Sequence, residues 1–406
     1  MIPRIREVHL RNYRSIQRAV VPLSGLTVLV GPNGSGKTNF LDALAFVQEC
    51  LSTSIDAALH ARGGMSVHYG MLPQSQWNPH GVGFRLVMEL EPHVVADYAF
   101  QLVWGDNARA EVAVEMERCV ISINGRETHR FEVKNGTFVT PIPGLRVLLQ
   151  ADRLALYAAS AVEEFRPVYD FLIGMRIYSI QPERMREARE ISSGLILEPD
   201  GANSAGVLRH LQQHFPEQSD RVHGLLQALV PGIKSVRSTP LGGMEMLMFT
   251  EQGSIPSSFL PLFPANVSDG TLRMLGLVLA VYQPNTPTVL LIEEPEATIH
   301  PAAVDVVMSV LLDAAKRSQV LVTTHSPDVL DYGSLPDGAI RVVAKTDRGT
   351  SITPVANASR EAIRQRLYSP GELLRSDELN PDIAAAESLS REQDLFGDPV
   401  HTFSEA

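Results

Sequence analysis

The chain reads as an α/β protein whose parallel strands end at a phosphate site. Three short apolar runs predict this class: Leu-Thr-Val-Leu-Val at 26–30, Thr-Val-Leu-Leu-Ile at 288–292 and Val-Leu-Val-Thr-Thr at 320–324. Each has the unbroken apolar character of a strand covered on both faces. Each then runs into residues that carry chemistry, at Gly31, Glu293 and His325.

Taken in order, residues 2–22 alternate polar and apolar side chains and predict an edge hairpin or strand pair leading into the first run. After that run stand Gly31, Pro32, Asn33, Gly34, Ser35, Gly36, Lys37 and Thr38, spaced Gly-x4-Gly-Lys-Thr. This is a phosphate-binding loop: its glycines let successive backbone N–H groups turn inward on phosphate oxygens, with a helix N-terminus behind them. Lys37 is expected to reach the β- and γ-phosphates, and the Thr38 hydroxyl to ligate Mg²⁺. From Thr38 to Ser52, the residues Phe40, Leu41, Leu44, Ala45, Val47 and Leu51 form a helical stripe. The loop therefore lies between a strand and a helix, the context that separates it from a plain glycine turn. The chain is expected to bind a nucleoside triphosphate.

Residues 53–81 are rich in Gly, His and Met and read as irregular. From Val82 the period becomes two, with Phe84, Leu86, Met88 and Leu90, then Val112, Val114 and Met116. The pairs Asn124-Gly125 and Asn135-Gly136 mark hairpins, so residues 82–150 read as an antiparallel β insert. Residues 151–263 predict a helical lobe, with stripes at Val207, Leu208, Leu211 and at Leu225, Leu226, Leu229, and a short β or loop segment near its end. A core lobe formed by 1–81 resumes at 264 and runs to 375, where Pro301 opens a helix bearing Val304, Val307, Met308, Leu311, Leu312 and Ala315.

The second apolar run ends in Glu293-Glu294-Pro295. A strand end beside a phosphate loop is where a nucleotide hydrolase sets a metal-side acid and a water-activating acid. Glu293 is expected to hold Mg²⁺ and Glu294 to orient or deprotonate the attacking water. The plainer reading is an exposed acidic turn after a core strand. His325, closing the third run, can bond the γ-phosphate or the attacking water, although a lone His is more often structural. Ser268 precedes the apolar helix that includes Leu272, Leu275 and Val278; as an N-cap it leaves an anion site, or simply caps a core helix.

Composition sets the class. At 406 residues, 44% hydrophobic and 20% charged, the chain is long enough for two or three cores or one large elaborated domain. Cys50 and Cys119 form neither a metal spacing nor a disulfide framework, which suits a reducing cytosol. Arg4, Arg6, Arg11, Arg14 and Arg18 are not followed by a signal-type apolar stretch, and no apolar run is long enough for a membrane span. A cytoplasmic protein is expected. The net charge of −11 is uneven: residues 376–406 hold eight acidic residues against Arg391, leaving −4 on residues 1–375. That acidic tail reads as disordered and solubilising, with a docking segment for a partner as the lesser reading.

The phosphate loop, Ser268-Asp-Gly-Thr271, Ile292-Glu-Glu-Pro-Glu-Ala-Thr-Ile-His-Pro301 and Thr323-Thr-His-Ser-Pro327, in this order, resemble the ABC-type ATPase heads of the SMC/RecF group. The likeness is nearest to ATPases related to the overcoming-lysogenisation-defect (OLD) proteins. The opening Val8-x-Leu10-Arg11-Asn12-Tyr13-Arg14-Ser15 and the run Thr38-Asn39-Phe40-Leu41-Asp42-Ala43-Leu44 share it, so it covers residues 1–375. The resemblance implies a P-loop NTPase fold of the ABC/SMC-head type that takes ATP and Mg²⁺, with Asn39 joining the loop in binding ATP. It implies a homodimer closed around two ATP, in which Ser268, Asp269 and Gly270 form the signature that meets the γ-phosphate held by the other protomer. Residues 296–300 match the segment that communicates between the two sites. Gln181, after the strand-like run 176–180, becomes the metal- and water-sensing glutamine, with Gln150 as the alternative.

The signature departs from the Ser-Gly-Gly-Gln of transporters, and no Toprim nuclease pattern follows His325. The resemblance thus points to an ATPase acting in DNA maintenance or anti-phage defence. Its alternative is an ATP-gated subunit holding a separate effector, with a transporter subunit the weaker option. Arg184, Arg186 and Arg189 offer DNA-phosphate contacts, but Glu183, Glu187 and Glu190 alternate with them, which favours a solvated helix face with i,i+4 pairs.

Overall fold

The computed structural model describes residues 2–64, 81–104, 112–230, 232–252, 259–336, 338–347, 349–392 and 394–401. They fall into two compact units, Met1–Met175 with Pro336–Tyr368 and Ser376–Ala406, and Arg176–Leu335 with Ser369–Arg375.

In the first unit, β1 (Arg4–Tyr13) and β2 (Ile16–Pro22) form the expected antiparallel hairpin, with Val8 opposite Val21. It is not at an edge, because β1 also pairs with a strand from the insert, Leu10 opposite Phe84. Strand β3 (Leu26–Val30) is buried at every position, and helix α1 (Lys37–Ser52) follows the phosphate loop. The segment expected to be irregular contains a short helix, α2 (Ile55–His60), capped by the Ser54 hydroxyl; residues 65–80 lie outside the described residues.

The insert is a meander of β4 (Val82–Glu91), β5 (Val94–Trp104), β6 (Val112–Ile123), β7 (Arg126–Lys134) and β8 (Thr137–Thr140). Both Asn-Gly pairs are its two-residue turns, with φ of 52° and 75° at Asn124 and Gly125 and 48° and 73° at Asn135 and Gly136. These left-handed values match the type I′ turn that the right-handed strand twist favours. Helix α1 is joined to this sheet by a ladder of rings: Phe46 lies 5.7 Å from Tyr13 and 5.4 Å from Phe84, which stacks 4.9 Å from Phe100. Helices α3 (Ala155–Ala159) and α4 (Arg166–Ile173) close this stretch.

The second unit begins with β9 (Arg176–Tyr178), α5 (Pro182–Met185), β10 (Arg189–Glu190), α6 (Ser204–His214) and α7 (Pro216–Leu229). Strands β11 (Ile233–Leu241), β12 (Met244–Gln252) and β13 (Phe259–Leu262) join β10 in a small antiparallel sheet, so the predicted helical lobe carries a sheet of its own. Helix α8 (Asp269–Tyr282) is buried from Thr271 onward except at Arg273. Strand β14 (Val289–Glu293) lies between β9 and β15 (Gln319–Thr324), parallel to both, with Glu293 opposite Thr323. Helices α9 (Val304–Ala314) and α10 (Pro327–Leu330) complete the run.

The chain then re-enters the first unit. Strand β16 (Ile340–Thr346) pairs parallel to β3, with Ile340 opposite Val28, and antiparallel to β17 (Gly349–Thr353). The strand order within this unit is β8-β7-β6-β5-β4-β1-β2-β17-β16-β3. The hairpin is therefore interior, because β4 covers one side of it and β17 the other.

In residues 376–392 and 394–401 the acidic segment departs from the disorder expected of it. After α11 (Asn357–Arg364) of the first unit and α12 (Pro370–Arg375) of the second, α13 (Ile383–Glu392) packs against β2 and β17. Residues 394–401 lie on strands β4 to β6, held by Arg85 and Arg118. The charge count hid two apolar anchors, Leu379 and Leu395, which are 7% and 5% exposed. Among the described residues no helix is long and apolar enough to cross a membrane.

Candidate nucleotide-binding and hydrolysis site

The phosphate loop is held in the first unit by contacts that leave no room for side chains. A Cβ on Gly31 would lie 2.2 Å from the Val343 carbonyl oxygen, and one on Gly36 would lie 2.2 Å from Thr350 Oγ1. Gly36 also has φ 109°, a conformation that glycine adopts without strain. Thr350 on β17 supports the loop: its hydroxyl donates to the Ser35 carbonyl at 2.8 Å and shares a 2.7 Å bond with Ser15 Oγ. Asn39 Nδ2 donates to the same Ser15 hydroxyl at 2.6 Å.

Pro32, Asn33, Gly34 and Thr38 face solvent, whereas Ser35 and Lys37 are buried. Lys37 Nζ donates to the carbonyls of Gly31 at 2.7 Å and Pro32 at 3.1 Å, so its ammonium lies inside the loop. No side chain among the described residues caps α1 at Gly36, and Ser35 Oγ is buried without a hydrogen-bond partner among them. A 16-residue helix with uncapped first-turn N–H groups and an unsatisfied hydroxyl in the loop before it fits a bound phosphate chain. Glycine spacing signalled the loop in the sequence; nothing signalled Thr350, 314 positions beyond Gly36.

Just behind the loop, Asp42 on α1 accepts from Arg14 and Arg62, each at 2.9 Å, and from the Tyr13 hydroxyl. This fastens the start of α1 to β1. Arg4 and Arg6 both pair with Glu89, so these amino-terminal arginines are engaged within the fold.

The second unit brings the predicted acids and the histidine together. Glu293 ends β14, and its Oε1 is buried with no hydrogen-bond partner among the described residues, as suits an oxygen reserved for a cation. Glu294 leaves the strand at φ 41°, which turns its side chain off the strand axis. Its N–H donates to the Thr323 carbonyl at 3.1 Å, and its Oε1 stands 3.2 Å from His325 Nδ1. Both side chains are partly exposed, 35% for Glu294 and 49% for His325, so water reaches the pair. A carboxylate braced by an imidazole can accept a proton from water while the imidazole fixes its direction.

Glu296 was legible only as part of the segment after the strand. It is 7% exposed, and its Oε1 accepts from Thr324 Oγ1 at 2.5 Å; that hydroxyl in turn receives the Ser326 N–H at 2.9 Å. Burial pushes its carboxyl above the ordinary range, against the pull of the Thr324 hydroxyl. The two loops that carry Glu294 and His325 are thereby tied to each other.

Ser268 is the N-cap of α8: its Oγ accepts from the Thr271 N–H at 3.3 Å. Ser268 and Asp269 are exposed, and Asp269 is paired with Arg186 at 2.6 Å. Gly270 is required because a Cβ there would sit 2.8 Å from the Thr298 carbonyl, on the segment that follows Glu294. Gln181 caps α5 at the end of β9, with its side chain exposed. Gln150 lies in the first unit, lining a cavity with Val114, Glu117 and Val133. The arginine-rich run is not the helix face expected from its alternation. Helix α5 stops at Met185; Arg184 pairs with Asp200 and Glu187, Arg186 with Asp269, and Arg189 with Glu187.

Comparisons with known proteins follow the same lines. Residues 4–68 match the "AAA ATPase domain" family, and residues 257–331 match the family described as "AAA domain, putative AbiEii toxin, Type IV TA system". The "Retron Ec83 probable ATPase" of Escherichia coli is 21% identical over 383 residues, covering 80% of this chain and 69% of that protein. "DNA replication and repair protein RecF" of Corynebacterium jeikeium is 42% identical over 62 residues, 14% of this chain and 15% of that protein. "Chromosome partition protein Smc" of Methanococcus voltae is 43% identical over 44 residues, and the chain spans only 4% of its length. Among solved structures, an Smc head bound to the C-terminal domain of ScpA, from Pyrococcus furiosus, superposes with TM-score 0.50 at 15% identity, covering 90% of this chain and all of that one. Another Smc head, bound to the winged-helix domain of ScpA, gives TM-score 0.50 at 16% identity over 87% of this chain and 99% of that one. The phosphate loop, the acid-tipped strand and these matches together give the chain the fold of an SMC-type head and a likeness to ATPases of the SMC/RecF type.

Proposed function

We propose that this head hydrolyses ATP to ADP and phosphate and cycles between a monomer and a dimer closed around two ATP molecules. The observation that carries hydrolysis is the Glu294–His325 pair, a water-accessible carboxylate 3.2 Å from an imidazole at the ends of two neighbouring parallel strands. Glu294 takes a proton from water; the water oxygen bonds to the γ-phosphorus as the bond to the β–γ bridging oxygen breaks, releasing ADP. His325 holds Glu294 in direction. Lys37 and the N–H groups of residues 31–38 bind the phosphates, with Asn39 beside them. Thr38 and Glu293 are assigned to Mg²⁺, and Gln181 to sensing it; the ion when bound neutralises charge on the β- and γ-phosphates.

Ser268, Asp269 and Gly270 form the surface offered to the ATP of a second copy, which makes the dimer the hydrolysing species. The setting we propose is DNA maintenance or anti-phage defence. A second reading is an ATP-gated subunit that holds and releases a separate toxic or nuclease partner. It is favoured by the match to a retron ATPase across 80% of the chain and by the toxin–antitoxin family description.

The test is Glu294→Gln, assayed for phosphate release and for mass with and without ATP·Mg²⁺. Loss of the base is expected to cut turnover on the order of 10²- to 10⁴-fold while ATP is retained and the mass doubles. Turnover at the wild-type rate removes Glu294 from the role of base. Duplex DNA migrating with the trapped dimer supports the DNA reading, and its absence favours the effector reading.

A further inference from the structure

The C-terminal segment is held in an unusual way. Residues 394–401 pair with no strand, yet they are bound by three buried charged side chains on the β insert. Arg85 on β4, Asp97 on β5 and Arg118 on β6 are 3%, 0% and 3% exposed. Arg85 and Asp97 form a bidentate pair at 2.9 and 2.7 Å. Arg85 also donates to the carbonyls of Asp394 at 3.2 Å and Asp398 at 2.9 Å, and Arg118 to that of Phe396 at 2.8 Å. Asp97 Oδ2 accepts from the Val400 N–H at 2.8 Å, and Ser122 Oγ lies 2.7 Å from His401 Nδ1.

The three carbonyls stand at every second residue along a segment that turns at its start, where the Gly397 N–H donates to the Asp394 carbonyl at 3.1 Å. The reading is of backbone, since the Asp394 and Asp398 side chains remain in solvent. One side chain is selected: Leu395 fills a notch over Gly83, where a Cβ would come within 2.4 Å of Leu395 Cδ2. Two guanidiniums against one carboxylate leave a surplus positive charge beneath an acidic segment, and Arg118 Nε and Nη2 have no hydrogen-bond partner among the described residues. Elsewhere the strands satisfy one another through their own ladder, with Arg85 and Arg118 both opposite Ala99.

We propose that the Arg85–Asp97–Arg118 face is a peptide-docking site whose ligand is the chain's own segment 394–401, bound in cis and displaceable by the same sequence in trans. The ligand class is an acidic peptide with a leucine anchor, turned over its first four residues. This rests on the β insert alone and stands independently of ATP hydrolysis.

The probe is a fluorescein-labelled peptide of sequence Asp-Leu-Phe-Gly-Asp-Pro-Val-His, titrated by fluorescence anisotropy against full-length protein. In the wild type the tethered segment competes at an effective concentration in the millimolar range, so capture is weak. Leu395→Asp in the full chain releases that segment, and capture is expected to tighten at least about tenfold. Adding Gly83→Val, which fills the notch on an ordinary strand backbone, is expected to abolish it. A folded Leu395→Asp protein that binds no tighter than wild type, or capture that survives Gly83→Val, overturns the proposal. Hydrogen exchange on the unmodified chain needs no variant to fold. The Val400 amide is expected to open ahead of the β5 and β6 amides; exchange only together with them makes the segment a fixed part of the sheet and overturns the proposal.

Discussion

Glu117 offers a sharp test of how this sheet is assembled. It sits on β6, fully buried, with its carboxyl accepting from Tyr98 OH at 3.0 Å, the Leu156 N–H at 2.8 Å and the Ala155 N–H at 2.5 Å. These three donors favour the carboxylate, but burial outweighs them and pushes its pKa from 4.5 up to about 7. A raised carboxyl pKa means that the folded state holds a proton which the unfolded chain has already lost. Stability therefore falls as pH rises from about 4.5 to about 7 and is level above that. At 1.36 kcal/mol per pKa unit the whole effect is roughly 3 kcal/mol, most of which lies between pH 5 and 7.5.

Glu117→Gln removes the titration while leaving one amide donor facing the Ala155 N–H, which adds a pH-independent cost of about 1–3 kcal/mol. The assay is urea unfolding of both proteins at pH 5 and pH 7.5, followed by far-ultraviolet circular dichroism. Every other titrating group is common to the two proteins and cancels in the double difference. The stability advantage of wild type over Glu117→Gln should shrink by roughly 2 kcal/mol on going to pH 7.5. Parallel pH profiles for the two proteins would refute the burial argument.

Three further expectations concern the nucleotide site. Gly36→Ala forces φ 109° on a residue with a Cβ and drives that Cβ into Thr350; a loss of about 2–4 kcal/mol in thermal unfolding is expected, with weaker ATP binding. Adding Thr350→Gly should recover the steric part only, and an unchanged midpoint for Gly36→Ala would refute the clash. Lys37→Ala removes the ammonium inside the loop and should weaken ATP binding by at least about tenfold in calorimetry, a loss of roughly 1.4 kcal/mol or more. Ser268→Arg should leave ATP binding by the monomer intact while preventing the mass doubling of the Glu294→Gln background; a fully active variant would remove the signature from the dimer interface.

Local elements were legible because their causes are local. Asn124-Gly125 and Asn135-Gly136 form turns because Asn and Gly accept positive φ, and the phosphate loop announces itself through glycines that its backbone geometry requires. Apolar runs revealed β3, β14 and β15, since a strand buried on both faces needs apolar residues at every position. The meeting of Glu294 with His325 was only half legible. Both residues were singled out, but their 3.2 Å contact depends on the register that sets Glu293 opposite Thr323.

The sequence by itself thus determined a phosphate loop, an acid-tipped strand and the class of fold, because these reside in short runs whose residue types are constrained by their own backbone. Only the tertiary structure decided that the first hairpin lies inside a sheet, that Thr350 supports the loop, that Glu296 ties two strand ends together and that residues 383–392 and 394–401 of the acidic tail pack on the sheet. Each of these joins groups far apart in the chain; Arg85 and Asp398 stand 313 residues apart. No local preference encodes such a meeting, which arises when burial of Leu395 and pairing of buried charges outweigh the entropy of ordering the segment.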